Sequence, residues 1–165
     1  MQRNAMEDFQ RDITYRTLKR EDGQVSLTAL LRDRFHDIRV EVIAEPETLT
    51  ITAAGVDFRR SPTPDCGNVA ARMERLIGFA IGRGLNRKLM EVFGGGEGCG
   101  NIRNLLLGLL PLALNVRVSA GFTDEREMLD TIHEKLRGTC AGYASEPGQD
   151  TCLAEGLRTP KSREL

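Results

Sequence analysis

The sequence has no tryptophan, and aromatic residues make up only 5% of its 165 residues. Its charges nearly cancel, because the formal net charge is −1 and the isoelectric point is near 6.2. Proteins that hold single-stranded nucleic acid stack its bases on aromatic side chains, and proteins that hold duplexes use clusters of Lys and Arg. The composition therefore predicts a protein that binds no nucleic acid and is not drawn to anionic membranes.

Long apolar runs are also missing. The N-terminal residues Met1–Asp8 contain no apolar segment of the kind that a secretory signal needs. The longest apolar run is the ten residues Leu105–Leu114, which include Gly108 and Pro111. This run is too short to span a bilayer and is typical of a core helix. We therefore expect a cytoplasmic protein without a membrane partner, in which the four cysteines are thiols or ligands rather than disulfides.

The first part of the chain alternates apolar and polar residues, as half-buried strands do. The alternation begins at Phe9, and Glu21-Asp22-Gly23 is typical of the turn of a hairpin into a second strand. A third strand is predicted over Asp37–Ala44 and a fourth over Thr48–Ala53. In the fourth strand one face is predicted to carry Leu49, Ile51 and Ala53. These four segments predict an antiparallel sheet with one wet face.

Helical spacing follows a connector, Arg60–Asp65, whose two prolines exclude a helix or a central strand. Asp65 suits an N-cap, so we expect a first helix with Cys66 in its first turn. The inner face of this helix is predicted from its spacing: Val69, Met73, Leu76, Ile77 and Ala80. A second helix is predicted over Leu85–Phe93, with these residues inward: Leu85, Leu89, Met90 and Phe93.

A third helix is predicted from about Asn101, and it is apolar nearly all round, which is typical of a buried helix. Pro111 should kink it near Leu107 by removing one backbone hydrogen bond. The pattern leaves Val116–Ala120 open between a strand and an extended connector. Asp124 with Glu127 marks the start of a last helix that ends at Gly138. Its inner face is predicted to hold Leu129, Ile132 and Leu136, and His133 is expected on the solvated face.

Together these segments predict an α+β fold, in which a small antiparallel sheet of about four strands has helices packed on one face. The length fits a single domain, which we place at residues 9–144. The polar ends, residues 1–8 and 145–165, are expected to be mobile tails.

A glycine cluster gives the strongest indication of a site. Five of the seven residues from Gly94 to Gly100 are glycine, and they separate the second predicted helix from the third. Cys99 is therefore expected at the N-terminus of a buried helix, where the helix dipole favours a thiolate. We predict that Gly98, Cys99 and Gly100 form a cofactor-binding segment.

The cysteines contain no Cys-x-x-Cys pair, since 33 residues separate Cys66 from Cys99 and 41 separate Cys99 from Cys140. The helices that begin at Cys66 and Cys99 could nevertheless start at one end of the sheet. The predicted metal ligands are then His36, Cys66, Cys99 and Cys140, a set that suits zinc or an iron–sulfur unit. The alternative for these cysteines is that they are small core residues, and for His36 that it is a hydrogen-bonded residue at the rim of the core.

Several short segments resemble a bacterial domain-of-unknown-function family, DUF2889, over roughly residues 10–145. The matching segments are His36-Asp37, Cys66, Leu76-Ile77-Gly78, Ile81-Gly82-Arg83-Gly84, Gly98-Cys99, and Thr139-Cys140 with Tyr143. The chain departs from the family signature where Gly100, Asn101 and Asn104 replace Thr, His and Glu, so a ligand or base at position 101 is lost. The order of a sheet, a cysteine at a helix start and a second such cysteine also resembles iron–sulfur scaffold proteins of the NifU and SufE type.

Two functions follow as hypotheses. The first is a non-catalytic metal-binding or sulfur-handling module that uses cysteines at helix N-termini. The second is a structural or protein-interaction module, in which the cysteines are core residues and the apolar helix supports a homo-oligomer. An enzyme with Cys99 as its nucleophile is less favoured, because it would need His36 within reach as a base.

Overall fold

The computed structural model describes residues 8–138 and 143–144. These fall into two compact units, one that ends at Ala120 and one that begins at Gly121. The first unit holds a four-stranded antiparallel sheet and its helices, so the predicted α+β class is confirmed. The domain bounds of 9–144 stay a prediction, and the predicted tails lie almost entirely outside the described residues.

The sheet is a meander of four strands, in the order β1-β2-β3-β4. Its strands are β1 (Arg11–Lys19), β2 (Val25–Asp33), β3 (Asp37–Ala44) and β4 (Ile51–Arg60). The predicted turn at Gly23 is present, with a φ of 85° that favours glycine. Alternate side chains of the central strand β2 are buried on one face: Val25, Leu27, Ala29 and Leu31. This is the alternation from which the strand was predicted.

The fourth strand differs from the prediction in its bounds and in its face. Ala44 pairs with Ile51 and Ile43 pairs with Ala53, so Thr52 is an extra residue in β4. A bulge of this kind moves the following side chains to the other face of the sheet. Ala53 is therefore exposed, although it was predicted to face inward. Beyond the bulge the core side of β4 carries Ala54, Val56 and Phe58.

A 3₁₀ helix, Pro64–Leu76, replaces the first predicted helix. Its N-cap is Thr63, and Pro64 occupies its first position, where a missing N–H costs nothing. Asp65 therefore lies in the first turn, and its prediction as the N-cap was wrong. Cys66 lies in the first turn, as predicted.

The end of this helix also corrects the predicted inner face. Val69, Met73 and Leu76 are buried. Ile77 is 51% exposed, because the helix ends at Leu76 and the backbone of Ile77 is extended. Ala80 is exposed and forms an isolated bridge with Thr50, so it belongs to an extended segment that continues the sheet edge.

The second predicted helix is observed with its predicted bounds, as α1 (Leu85–Phe93). Its buried side chains are Leu85, Leu89, Val92 and Phe93. Met90 was expected to face inward, but it is 49% exposed. The buried face of α1 therefore includes Val92 instead of Met90. Helical spacing alone does not decide which of these two residues faces the core.

The apolar segment forms α2 (Gly100–Leu109), a 3₁₀ turn (Leu110–Leu112) and α3 (Ala113–Ser119). Pro111 changes the helix locally to a 3₁₀ turn, so the irregularity follows the predicted position near Leu107 by three residues. Val116–Ala120, which the pattern left as a strand or a connector, lies almost wholly in α3. The backbone is thus helical from the glycine cluster to the end of the first unit.

The helix α2 covers the sheet with fully buried leucines. These include Leu105, Leu106 and Leu109. Gly108 passes so close to β1 that a Cβ atom there would lie 2.3 Å from the hydroxyl oxygen of Tyr15. The stretch Gly100–Ser119 has a mean hydropathy of 1.2 and is long enough to cross a membrane by length and composition alone. Core helices of soluble proteins meet the same criterion, so the absence of a membrane partner stays a prediction.

The second unit contains α4 (Glu125–Leu136). The predicted N-terminal pair is present, since the Asp124 carboxylate accepts a hydrogen bond from the Glu127 N–H over 2.8 Å. His133 was predicted on a solvated face, but it is only 8% exposed. Its ring packs edge-on against Tyr143 with centroids 5.5 Å apart, a contact that helical spacing does not reveal.

Candidate functional site

A pocket of about 540 Å³ lies between the start of the 3₁₀ helix and the glycine cluster. From the connector and the 3₁₀ helix it is lined by Thr63, Asp65, Cys66, Asn68, Val69 and Arg72. From the glycine cluster it is lined by Gly96, Glu97, Gly98 and Cys99. Two cysteines that are distant in sequence therefore contribute to one pocket.

Cys66 is held by the turn that starts the 3₁₀ helix. Its backbone N–H donates to the carbonyl oxygen of Thr63 over 3.3 Å. Its sulfur lies 3.6 Å from the hydroxyl oxygen of Thr63, and either group can be the donor. The side chain is half-buried and is a free thiol.

Cys99 is the N-cap of α2 and has an extended backbone, with φ −138° and ψ 117°. Its carbonyl oxygen accepts from the Arg103 N–H over 3.0 Å, which starts the helical hydrogen bonding. The side chain makes no capping hydrogen bond within the described residues. Cys99 is thus a half-buried free thiol at the start of a ten-residue helix.

The three residues of the predicted cofactor-binding segment have different roles. Gly98 lines the pocket, and a Cβ atom there would lie 2.0 Å from the carbonyl oxygen of Phe93. Only glycine fits at position 98, because any side chain there would collide with the Phe93 carbonyl group beside the segment that leads to Cys99. Gly100 is not among the lining residues, and a Cβ atom there would meet nothing within 4 Å. The steric requirement is therefore at Gly98.

A charged pair crosses from one lining element to the other. Arg72 of the 3₁₀ helix donates to the carbonyl oxygen of Val92 over 3.0 Å and to the carboxylate of Glu97. The Arg72 side chain is 21% exposed, and that of Glu97 is 87% exposed. Arg72 therefore fastens the 3₁₀ helix to both α1 and the glycine cluster. Sequence reasoning missed it, because its partners are 20 and 25 residues away.

His36 belongs to a buried polar cluster at the β2–β3 hairpin. The Asp33 carboxylate accepts from His36 Nδ1 over 2.9 Å and from the backbone N–H groups of Phe35 and His36 over 2.8 Å. Its other oxygen accepts from Arg11 Nε over 2.8 Å and Nη2 over 2.6 Å. Burial would raise the pKa of Asp33, but the N–H of Phe35, the side chains of His36 and Arg11 and the N–H of His36 hold that pKa well below its usual range.

The other ring nitrogen of His36 contacts the start of α2. His36 Nε2 lies 3.2 Å from Asn101 Nδ2. Arg11 Nη1 donates to Asn101 Oδ1 over 3.0 Å. Both ring nitrogens of His36 thus have partners, as the hydrogen-bonded alternative for this residue predicted. Asp33 and Arg11 were missed by sequence reasoning, although an Asp three residues before His36 at a hairpin is a signal for an Asx turn.

The predicted metal ligands are only partly brought together. Cys66 and Cys99 line one pocket, but His36 is not among the lining residues. A metal bound to His36 would have to displace either Asn101 from Nε2 or Asp33 from Nδ1. The contact with Asn101 also occupies Nε2, the ring nitrogen that would have to act as the base for a Cys99 nucleophile. Cys140 lies outside the described residues. Within residues 8–138 and 143–144, no group of three or more His, Cys, Asp and Glu side chains could hold a metal ion.

The chain matches a known family model. A family model described as a protein of unknown function (DUF2889) matches residues 9–115, which is well over half of the chain. The matched region runs from before β1 into α3 and includes both cysteines of the pocket and His36. No curated protein and no solved structure matches the chain. The resemblance to NifU- and SufE-type scaffold proteins therefore has no support from these comparisons.

Proposed function

Since this chain belongs to the DUF2889 family, whose function is unknown, we propose a function from the chemistry of its pocket. The pocket handles sulfur: Cys99 accepts a sulfur atom from a persulfide donor, and Cys66 is the second thiol, through which the sulfur leaves. One observation carries the proposal. Two free thiols from segments 33 residues apart line the same pocket of about 540 Å³.

The transfer balances without an external oxidant. The Cys99 thiolate attacks the outer sulfur of a donor R–S–SH, the donor's S–S bond breaks, and R–S⁻ leaves while a persulfide forms on Cys99. The Cys66 thiolate then attacks the outer sulfur of that persulfide, which restores the Cys99 thiolate. Cys99 is the first acceptor in this scheme because its side chain makes no capping hydrogen bond within the described residues, whereas the Cys66 sulfur lies 3.6 Å from the hydroxyl oxygen of Thr63.

Sulfur handling fits the described residues better than a closed metal site. A structural zinc or iron–sulfur site takes about four protein ligands, and the described residues offer no group of three. A persulfide needs one thiolate and room for the donor. The pocket offers two free thiols and a volume that falls within the roughly 300–1,000 Å³ of small-molecule sites.

Metal binding is the second candidate, because the shared pocket would also supply two thiolate ligands. In this candidate Cys66 and Cys99 would supply two thiolate ligands to zinc or an iron–sulfur unit. Metal analysis of protein purified without chelator tests it. Stoichiometric zinc or iron that is lost in C66S and C99S would favour this candidate over sulfur handling.

An interaction module is the third candidate and belongs to a different class. Apolar side chains on three helices stay partly exposed: Met90 at 49%, Leu107 at 42% and Val118 at 40%. Such side chains could contact a second copy of the chain. Light scattering at two protein concentrations tests for the homo-oligomer, with L107S as the variant that should weaken it.

The decisive experiment for sulfur handling measures sulfur uptake. Reduced protein is treated with glutathione persulfide, and intact-mass spectrometry records the gain of one sulfur atom over time. We compare the wild type with C66S and C99S, and with C140S/C152S as the control that keeps both pocket thiols. The proposal predicts rapid uptake by the wild type, the control and C66S, and slow uptake by C99S. Equal rates in all four proteins would refute it.

A further inference from the structure

Four polar side chains form a continuous chain between the sheet and the start of α2. Arg11 of β1 donates to Asn101 Oδ1, and Asn101 Nδ2 lies 3.2 Å from His36 Nε2. His36 Nδ1 in turn lies 2.9 Å from Asp33 Oδ1. Asn101 is the second residue of α2 and follows the N-cap Cys99 by two positions. Because Arg11 also pairs with Asp33, the four side chains form a closed ring, and Asn101 connects this ring to the turn that carries Cys99.

The identity of each donor in this chain follows from Arg11. A guanidinium has only N–H donors and stays charged, so the atom of Asn101 that faces it must be the oxygen. The Asn101 atom that faces His36 is then the NH₂ group, which can only donate. His36 Nε2 must therefore be the acceptor, and its proton must lie on Nδ1, where the Asp33 carboxylate receives it. One cation thus fixes both the orientation of Asn101 and the tautomer of His36.

We propose that Asn101 is a positioning residue, through which Arg11 and His36 hold the first turn of α2 and so place the Cys99 thiol in the pocket. The Asn101 amide accepts one hydrogen bond through Oδ1 and donates another through Nδ2, so it has a single favourable orientation. A flipped amide would place its NH₂ group against the N–H donors of the Arg11 guanidinium. The part of the inference that concerns sulfur rests on the proposed function. The tautomer and the placement of Cys99 do not.

The burial of the chain supports a positioning role. The Asp33 side chain is fully buried, and that of His36 is 15% exposed. Asn101 is half-buried in the first turn of α2. A half-buried amide with a partner on each side resists displacement, because water can replace each lost hydrogen bond only in part. Asn104, one turn further along α2, is exposed and offers a matched control.

The first test reads the tautomer. Nitrogen-15 NMR of the His36 ring, at a pH where the ring is neutral, should show a protonated Nδ1 and an unprotonated Nε2. In N101D the new carboxylate has no N–H group to donate to His36 Nε2, so the Nε2 signal should change. N104D adds the same charge to the same helix and should leave the His36 signals unchanged. A wild-type ring with its proton on Nε2 would overturn the assignment.

The second test reads the position of the thiol. In N101A the rate at which iodoacetamide alkylates Cys99 should change by about fivefold relative to the wild type. A net hydrogen bond contributes about 1 kcal/mol, and its loss changes the ratio of the positioned to the displaced first turn by about that factor. The rate at Cys66 in the same protein, and the rate at Cys99 in N104A, should not change. An unchanged Cys99 rate in N101A would refute the positioning role. Both tests can succeed when sulfur uptake fails, and that result would refute the proposed function alone.

Discussion

Replacing Asp33 by Asn removes the charge at the centre of the hairpin cluster and keeps its shape. The amide oxygen of the new side chain can still accept from the backbone N–H groups of Phe35 and His36, which are 2.8 Å from the present Oδ1. Its NH₂ group, however, takes the place of the oxygen that now accepts two bonds from Arg11. Donors then face donors, and the charge-assisted pair is lost.

The size of the effect follows from those two bonds. A hydrogen bond to a charged group contributes about 1.5–3 kcal/mol. The Arg11 side chain is 33% exposed, so water can partly replace the carboxylate and the lower end of that range applies to each bond. We expect D33N to lower the free energy of unfolding at pH 7 by about 3 kcal/mol, which is a large part of the roughly 5–15 kcal/mol of a typical domain.

The pH dependence has a definite sign. Because the pKa of Asp33 is held below its unfolded value, its stabilising contribution is present in full above the unfolded carboxyl pKa of about 3.9. The contribution is lost as the pH falls through the folded pKa, which lies lower still. The stability difference between the wild type and D33N should therefore be constant between about pH 7 and pH 5 and should shrink below about pH 4.

Urea unfolding followed by circular dichroism measures this difference, since the sequence has no tryptophan for fluorescence. The control is D57N, which makes the same change at an aspartate that is 62% exposed and pairs with Arg59 over 3.3 Å. It should shift the free energy of unfolding by less than about 0.5 kcal/mol. Equal shifts for D33N and D57N, or a D33N deficit that is as large at pH 3 as at pH 7, would refute the reasoning.

Three further predictions concern α2, the glycine cluster and α4. L106A should cost about 2–5 kcal/mol in urea unfolding because Leu106 is fully buried, whereas L107A should cost under about 1 kcal/mol because Leu107 is 42% exposed; equal costs would contradict the observed helix face. G98A should raise the rate of Cys99 alkylation and lower the melting temperature, since its Cβ would collide with the Phe93 carbonyl oxygen, while G100A should do neither. D124A should reduce the helical circular dichroism signal and lower the stability of α4 by about 1 kcal/mol, because the N-cap bond to Glu127 is lost; an unchanged signal would argue against that cap.

Sequence patterns predicted the parts of the fold that local spacing controls. Alternation located the first three strands and the start of the fourth, and helical spacing gave the bounds of α1 (Leu85–Phe93). The glycine cluster correctly placed Cys99 at the start of α2. The patterns could not predict the extra residue Thr52 in β4, because a bulge depends on pairing with β3 and moves the side chains that follow it to the other face.

The candidate site was predictable only in part. Two cysteines at helix starts suggested that Cys66 and Cys99 would lie at one end of the sheet, and both do line one pocket. The partners of His36 were not predictable, since Asn101 is 65 residues away along the chain. The orientation of the Asn101 amide depends in turn on Arg11 of β1. Spacing identifies residues that can do chemistry, but hydrogen-bond partners from distant segments determine which of them are free to do it.

The measurement that bears most directly on the sulfur-handling account is the site and order of sulfur uptake in the intact wild-type protein. After treatment with glutathione persulfide, peptide mass spectrometry at successive times reports the persulfide fraction at each cysteine. The account predicts that sulfur accumulates first on Cys99 and then on Cys66, well ahead of Cys140 and Cys152. Uptake at Cys140 or Cys152 that is as fast as uptake at Cys99 would contradict it.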